Sequence, residues 1–189
     1  MGTCLFISRF KSLYELMEYY KFLEKDERLE NLLFLLDVYF YKKYSSQKIF
    51  INKMMEKYIK KQILNLPSYL NKNHELINKM SYDEIENWIL QIVLNISVQM
   101  DQETYRSFSK NDATIGIYKK WDCENVGIFI TIIGLGDFRK NFESNCIEGS
   151  VIDILSDTDL NILGLSKLGD KMRFKRGLKS LIFSYIFFV

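Results

Sequence analysis

The chain has few of the residues that metal sites, disulfide frameworks and kinked helices require. Its 189 residues include one histidine (His74), one proline (Pro67) and three cysteines, and no two cysteines form a Cys-x-x-Cys pair. An odd number of scattered thiols beside a single imidazole argues against a structural zinc ion or a set of disulfides. The sequence therefore predicts a protein without a metal ion or a cofactor, located in a reducing cytoplasm.

Glycine is missing from most of the first half of the chain. Only Gly2, of nine glycines, precedes residue 116. Glycine-free, strongly periodic sequence is typical of long helices joined by polar turns, and Ser109–Lys120 interrupts it as a linker would. We therefore predict an all-α fold with a helical bundle at residues 8–112, a five-helix module at 118–183 and an apolar tail at 184–189.

Neither a large net charge nor a long apolar run is present. The net charge of +2 argues against a nucleic acid bound through total charge. The most apolar run, Leu181–Val189, has nine residues, whereas a membrane-spanning helix needs about 20. We therefore predict no spanning segment, and we expect any place at the inner face of a membrane to come through partners.

The usual enzyme motifs are also missing. Gly134 and Gly136 lack the third glycine and the preceding strand of a dinucleotide fingerprint, and no P-loop, Gly-x-Ser-x-Gly or His-Glu-x-x-His motif occurs. Three aspartates between residues 153 and 159 do not have the spacing of an EF-hand. The sequence therefore predicts a protein that acts by binding and has no active site of its own.

Apolar residues at helical spacing are abundant in the first half, and we interpret them as core. Ser81 and Glu84, three residues apart, predict a capping box at the start of a long helix. The predicted core residues are Phe10, Leu13, Leu16, Met17, Tyr20, Leu23, Leu29, Leu32, Leu33, Leu36, Phe40, Phe50, Met54, Tyr58, Ile59, Ile85, Trp88, Ile89, Ile92, Val93, Ile96, Tyr105 and Phe108.

The second half places short apolar segments between glycines and helix caps. Asp122 and Ser156 are predicted to cap helices, and Gly169 to open the last one. The ordered motif residues are Trp121, Val126, Asp137-Phe138, Phe142, Ile147-Glu148-Gly149, Ile154-Leu155-Ser156, Asp159-Leu160, Leu163-Gly164, Leu168-Gly169, Lys171 and Arg173. With these residues the segment resembles a sterile alpha motif (SAM) domain, a small helical module that binds other proteins.

Charge is divided within this module. Acidic residues outnumber basic ones eight to two in residues 121–166, and basic residues outnumber acidic ones six to one in residues 167–179. A module with two oppositely charged faces can pack head to tail with other copies or other SAM domains. The resemblance implies an acidic surface with Asp153, Asp157 and Asp159, and a basic surface with Gly169, Lys171 and Arg173.

Two other interpretations of these charges stay open. The charged side chains can simply be solvated. The last helix also resembles that of SAM domains that bind RNA hairpins, in which a row of basic residues contacts phosphate. The residues concerned are Lys167, Lys171, Arg173, Lys175 and Arg176.

The first half carries a second family pattern, centred on Phe22–Lys43. The matching residues are Ser12-Leu13, Glu15-Leu16, Phe22, Leu23, Asp26, Glu30-Asn31-Leu32, Phe34, Ile59, Leu64, Pro67, Asn71, Glu103-Thr104-Tyr105-Arg106 and Phe108. Over residues 10–110 they resemble an RGS domain, a regulator of G-protein signalling. Such a domain binds the switch loops of a Gα subunit and stabilises the form suited to phosphoryl transfer.

This resemblance implies a Gα partner. Asn71 would brace the water-positioning glutamine of Gα, with support from Glu30, Asn31, Glu103 and Arg106. Each residue also has a plain structural alternative, such as helix capping for Glu30 and Asn31 and a turn for Asn71.

The resulting prediction is a signalling regulator that accelerates GTP hydrolysis by Gα and uses a SAM domain for assembly. One alternative is a scaffold whose first domain has no Gα activity, which Leu35 and Ser107 favour because they depart from the RGS pattern. Another is a regulator that binds RNA.

Overall fold

The computed structural model describes residues 6–25, 28–108 and 118–183. Over these residues the fold is all-α, as predicted, and contains no strand. None of the helices in this part of the chain is both long and apolar enough to cross a bilayer. The predicted linker is described only at Tyr118–Lys120, a short 3₁₀ helix, and the predicted tail at 184–189 lies outside the described residues.

Contacts divide the chain into two compact units. The N-terminal unit contains Met1–Arg9 and Leu23–Lys110, and the C-terminal unit contains Phe10–Phe22 and Asn111–Val189. This division differs from the sequence-based boundaries at residues 10–22, which were expected to belong to the first domain. Helix α1 (Leu13–Lys25) therefore contributes most of its length to the C-terminal unit.

Helices of three to eighteen residues form most of the described N-terminal unit. They are α2 (Leu29–Tyr44), α3 (Gln47–Met54), α4 (His74–Asn78), α5 (Tyr82–Gln99) and α6 (Arg106–Phe108). Segments of π-helix, Met55–Ile59 and Met100–Tyr105, continue α3 and α5. The predicted capping box of α5 is confirmed, since Ser81 N–H donates to Glu84 Oε2 at 2.7 Å and Glu84 N–H donates to Ser81 Oγ at 3.3 Å.

The core of this unit confirms most of the predicted apolar stripes. Six residues of α5 were expected inside and all are buried, including Trp88, whose Nε1 donates to the carbonyl of Leu70 at 2.9 Å. Helix α2 is buried on more than the single apolar face that the sequence predicted. Phe34 and Leu35, which lie outside the predicted stripe, are also fully buried. Leu35 is thus a core residue of α2.

The C-terminal unit adds four helices to α1. They are α7 (Cys123–Ile130), α8 (Arg139–Ser144), α9 (Asp157–Ile162) and α10 (Leu168–Phe183). A π segment, Thr131–Leu135, follows α7, and turns at residues 149–154 precede α9. The ring of Phe174 packs between Phe129 and Phe142, with centroid distances of 6.4 and 6.0 Å. These three aromatic side chains join α10 to α7 and α8 in one core.

Both predicted caps of this unit are confirmed. Asp122 Oδ1 accepts from the N–H of Asn125 at 2.8 Å, which satisfies a donor at the start of α7. Ser156 and Asp159 form a full capping box at the start of α9. The last helix begins at Leu168, one residue before the predicted position.

Helix α1 packs against the same core. The ring of Tyr14 lies 5.7 Å from that of Trp121 in an edge-to-face arrangement, and Tyr19 is fully buried against Phe10. Burial raises the pKa of the Tyr14 hydroxyl above its usual value, and a hydrogen bond with the Tyr118 backbone partly offsets that rise. Residues 10–22 therefore form an integral layer of the C-terminal unit.

Candidate interaction surfaces

Three of the residues implied as Gα contacts line one cleft of the N-terminal unit. Glu30 and Asn31 lie in the first turn of α2, and Glu103 lies in the π segment after α5. They surround an open cleft of about 330 Å³. The cap of α2 is Arg28, so Glu30 and Asn31 are not its N-cap residues. Packing thus joins two segments that are distant in the sequence.

The other two candidates lie elsewhere. Asn71 lines a second cleft, of about 620 Å³, and its backbone N–H donates to the carbonyl of Ser68 at 3.2 Å in a turn. Arg106 is exposed at the start of α6 and lines neither cleft. The structure therefore does not gather all five predicted residues into one site.

Asn65 is a residue that the sequence analysis missed. It is exposed in the loop between α3 and α4, and it lines both clefts. It shares the smaller cleft with Glu30, Asn31 and Glu103. An exposed amide beside a proline-containing turn is common in loops, so only the fold distinguishes Asn65 from Asn71.

Asp153, predicted on the acidic surface, has partners within its own unit. Lys119 Nζ donates to its Oδ1 at 2.7 Å, and the hydroxyl of Tyr118 donates to Oδ2 at 3.1 Å. The Lys119 hydrogen bond is the main cause that lowers the pKa of the Asp153 carboxyl. The Asp153 carboxylate therefore binds Tyr118 and Lys119, which lie at the start of the C-terminal module.

Asp157 connects the two predicted surfaces. Its carboxylate accepts from Lys175 Nζ at 2.8 Å, and this hydrogen bond and the nearby charges of Lys175 and Lys171 lower the pKa of Asp157. The Asp157 side chain is still 62% exposed. The acidic surface and the basic helix thus adjoin on the same molecule at this point.

Asp159 and Arg173 are also engaged internally. Asp159 Oδ2 accepts from Ser156 in the capping box, at 2.8 Å from N and 2.6 Å from Oγ. Arg173 is part-buried and donates from Nη1 to the carbonyl of Gly134 at 2.8 Å. Gly134 has a φ of +77°, so Arg173 fixes a carbonyl of a tight left-handed turn. Both side chains support the module's own fold.

The start of α10 is the most open part of the predicted basic surface. A Cβ added at Gly169 would have no atom within 4 Å. Leu168 is 75% exposed and Met172 is 54% exposed, and their four-residue spacing puts them on one face of α10. Phe174 and Gly177 lie on the buried face. We call Leu168, Gly169, Lys171 and Met172 the helix-start patch.

A second exposed apolar site accompanies the acidic residues. Ile154 is 74% exposed, between Asp153 and the start of α9. Ile162, at the end of α9, is 71% exposed. Two large apolar side chains are therefore open to solvent close to the acidic residues.

Comparison with known families identifies the family of the C-terminal module. Residues 119–181 match the SAM domain (sterile alpha motif) family. They form a SAM domain. The predicted resemblance to a SAM domain is therefore confirmed, whereas the same comparison finds no RGS domain in the chain. Residues 10–22 and 119–181 lie in the same compact unit, but only residues 119–181 match the family.

One curated relative is similar over a short segment. A deoxynucleoside triphosphate triphosphohydrolase, SAMHD1 of Xenopus laevis, is 34% identical over 55 residues. The matched segment covers 29% of this chain and 9% of that protein. No solved structure matches the chain at a comparable level. The similarity therefore covers less than a third of this chain and a small part of that protein.

Proposed function

We propose that this chain is an assembly protein whose SAM domain joins it to further SAM domains, in its own copies or in other proteins. The helix-start patch carries the proposal, because Leu168 and Met172 expose apolar surface on one face of α10 and no atom obstructs the neighbouring Gly169. Lys171 adds a positive charge to the same turn. An apolar patch with a charged neighbour fits a surface of opposite charge that also offers an apolar side chain.

The complementary surface on the neighbouring SAM domain is that around Ile154 and Asp157. Ile154 supplies exposed apolar area, and Asp157 keeps most of its carboxylate in solvent. Two different surfaces on one module make a heterologous contact, which forms chains or rings. The contacts that Asp159 and Arg173 make within the module leave these two residues outside our proposed interface.

Sedimentation of the full chain tests this assembly. Leu168→Glu and Ile154→Glu should each give monomers, because each removes one of the two surfaces. An equimolar mixture of the two variants should form dimers, since each retains the surface that the other lacks. Leu94→Glu is the matched control, because Leu94 is 58% exposed on the N-terminal unit. A monomeric wild-type chain, or a mixture that stays monomeric, would contradict self-assembly.

The cleft of the N-terminal unit favours a second proposal, that this unit binds a Gα subunit and accelerates its GTP hydrolysis. Glu30 and Asn31 come from one motif of the sequence and Glu103 from another, and all three line the same cleft. Asn65 provides an exposed amide at its rim. In this proposal Asn65, not Asn71, contacts the Gα switch loops, and the chain acts in the cytoplasm by binding alone.

Single-turnover GTP hydrolysis by several Gα classes tests this proposal. Asn65→Ala should abolish any acceleration, whereas Asn71→Ala should reduce it little. Asn78→Ala is a suitable control, because Asn78 is exposed in α4 and lines neither cleft. If the wild-type chain neither accelerates hydrolysis nor binds the aluminium-fluoride form of any Gα, the N-terminal unit has another partner, and the SAM assembly proposal is unaffected.

The structure gives less support to an RNA partner. Of the basic residues in α10, Arg173 is turned toward Gly134, and Lys175 is paired with Asp157. We likewise propose no nucleotide hydrolysis, since the similarity to the frog triphosphohydrolase covers 55 residues. Steep salt-dependent binding of an RNA hairpin by the full chain would favour the RNA interpretation instead.

A further inference from the structure

Two thiols of the SAM domain lie side by side. Cys123 and Cys146 are both free, and their side chains are within hydrogen-bond reach of each other. The third cysteine, Cys4, lies outside the described residues. The pair is thus the one place in the described part of the chain where the fold brings two cysteines together.

The fold holds this pair at the junction of two helices. Cys123 is the first residue of α7, and Cys146 follows the end of α8. The backbone on either side is tied together, because Gly149 N–H donates to the carbonyl of Trp121 at 2.9 Å. This backbone hydrogen bond connects the two segments that carry the thiols, and it does not depend on a bond between the sulfurs.

Cys146 occupies an unusual backbone position. Its N–H donates to the Glu143 carbonyl at 3.0 Å, and the N–H of Ile147 donates to the Phe142 carbonyl at 3.0 Å. This is a Schellman motif, whose left-handed residue is normally glycine or asparagine. Cys146 adopts it with a φ of +51°. A side chain at this position is strained, so a role for its thiol would account for a cysteine here.

The two thiols have different environments. Cys146 is exposed, whereas Cys123 is half-buried. Burial and the neighbouring charge of Cys146 raise the pKa of the Cys123 thiol, although a helix N-terminus alone would lower it. Cys146 is therefore the thiol that is more accessible to a small oxidant in solvent.

We propose that Cys123 and Cys146 form a reversible redox site that a peroxide oxidises to an intramolecular disulfide. This inference is independent of the SAM assembly and of the Gα partner. It adds a covalent link between the start of α7 and the end of α8, which the reduced protein holds together only by packing and hydrogen bonds.

The chemistry takes two steps. The Cys146 thiolate attacks one oxygen of hydrogen peroxide, the O–O bond breaks, and the departing hydroxide takes up a proton to become water. Cys146 is now a sulfenic acid. The Cys123 sulfur then attacks the Cys146 sulfur, the S–O bond breaks, and the hydroxide leaves as water with the Cys123 proton. Two thiols are oxidised, and one peroxide is reduced to two waters.

Reduction resets the site by thiol–disulfide exchange. A small thiol of the glutathione class attacks the exposed Cys146 sulfur and releases Cys123 as the leaving thiol. A second small thiol then attacks the mixed disulfide and frees Cys146. A disulfide of this transient kind is compatible with a reducing compartment.

The test uses the full chain with Cys4→Ser, so that only the paired thiols remain. Peroxide treatment followed by alkylation should give a single chain, not cross-linked to other copies, that has lost two hydrogens and accepts no alkyl group, and a small thiol should reverse this. In Cys123→Ser, Cys146 should accumulate as a sulfenic acid that dimedone traps. In Cys146→Ser, oxidation of Cys123 should be at least about tenfold slower, because the remaining thiol is half-buried and less accessible to peroxide.

Circular dichroism of each variant confirms that it is folded before oxidation. The proposal is overturned if both thiols of the folded Cys4→Ser chain remain open to alkylation after peroxide, or if only disulfides between chains form. It is also overturned if Cys146→Ser oxidises as fast as its Cys4→Ser parent.

Discussion

Arg139 donates from Nη1 to the hydroxyl of Tyr20 at 2.8 Å and from Nε to Glu143 Oε1 at 2.6 Å. Its guanidinium carbon also lies 6.0 Å from the centre of the Tyr20 ring. One side chain of α8 thus binds both its own helix and α1, which precedes it by more than a hundred residues. The family match begins at residue 119, so Tyr20 lies outside the matched segment but inside the C-terminal unit.

Removal of the Tyr20 hydroxyl should therefore destabilise the C-terminal unit. Tyr20→Phe is expected to lower its free energy of unfolding by about 1–2 kcal/mol, because a part-buried charged donor loses its acceptor. Urea denaturation of the full chain measures the change. Tyr82→Phe, at an exposed tyrosine of α5, should change it by less than about 0.5 kcal/mol. Equal urea midpoints for the two variants would show that the hydrogen bond between Tyr20 and Arg139 does not stabilise the C-terminal unit.

Two glycines of the SAM domain should respond oppositely to alanine. A Cβ at Gly149 would overlap the carbonyl oxygen of Tyr118 and lie 3.0 Å from Cβ of Trp121. Gly149→Ala should therefore cost about 1–3 kcal/mol of stability. Gly169→Ala meets open space in the first turn of α10 and should be neutral or stabilising by up to about 1 kcal/mol. Thermal unfolding of both variants checks this, and a stable Gly149→Ala would refute the close approach.

The stability of the C-terminal unit should decrease in acid. Hydrogen bonds from Lys119 and Lys175 lower the pKa values of Asp153 and Asp157, so their contribution is complete above the ordinary aspartate pKa of about 4. It is lost as the pH falls through the lower pKa values of the folded state.

Melting temperatures measured from pH 7 to pH 2.5 test this dependence. Asp153→Asn should melt lower than wild type at pH 7 and should lose less stability on acidification. Glu124→Gln, at an exposed carboxylate near the start of α7, should retain the wild-type profile. Parallel profiles for Asp153→Asn and wild type would remove Asp153 from the acid response.

The capping box of α9 should behave as one unit. Ser156→Ala is expected to cost about 1 kcal/mol, because the N–H of Asp159 loses its acceptor. Asp159→Ala removes the reciprocal bond, so the double variant should lose less than the sum of the two single losses. Urea denaturation gives all three values, with Ser68→Ala, in an exposed turn, as the control. Strict additivity would indicate that the two bonds act separately.

Local patterns predicted the helices well. The caps at Ser81, Asp122 and Ser156 depend on side chains that reach backbone groups three residues away, so the sequence contains both partners. The buried face of α5 follows from its 3.6-residue periodicity in the same way. The SAM motif residues also lie in one continuous segment, and the family comparison confirms a SAM domain at residues 119–181.

The surroundings of the candidate site residues depend on contacts between distant segments, and no local sequence pattern contains these contacts. Arg173 donates to the carbonyl of Gly134, and Lys119 donates to the carboxylate of Asp153. Both hydrogen bonds join segments that are distant in the sequence. Asn65 reaches the cleft of Glu103 for the same reason.

What the amino-acid sequence by itself determined is the all-α class, most helix starts and the SAM domain, because these rest on interactions between near neighbours in the chain. Only the tertiary structure decided that residues 10–22 belong to the C-terminal unit, and that Cys123 lies beside Cys146. Contacts of this kind depend on how whole helices pack their apolar faces together. Many positions of the sequence fit the same local pattern, and only the packed helices show which of them meet.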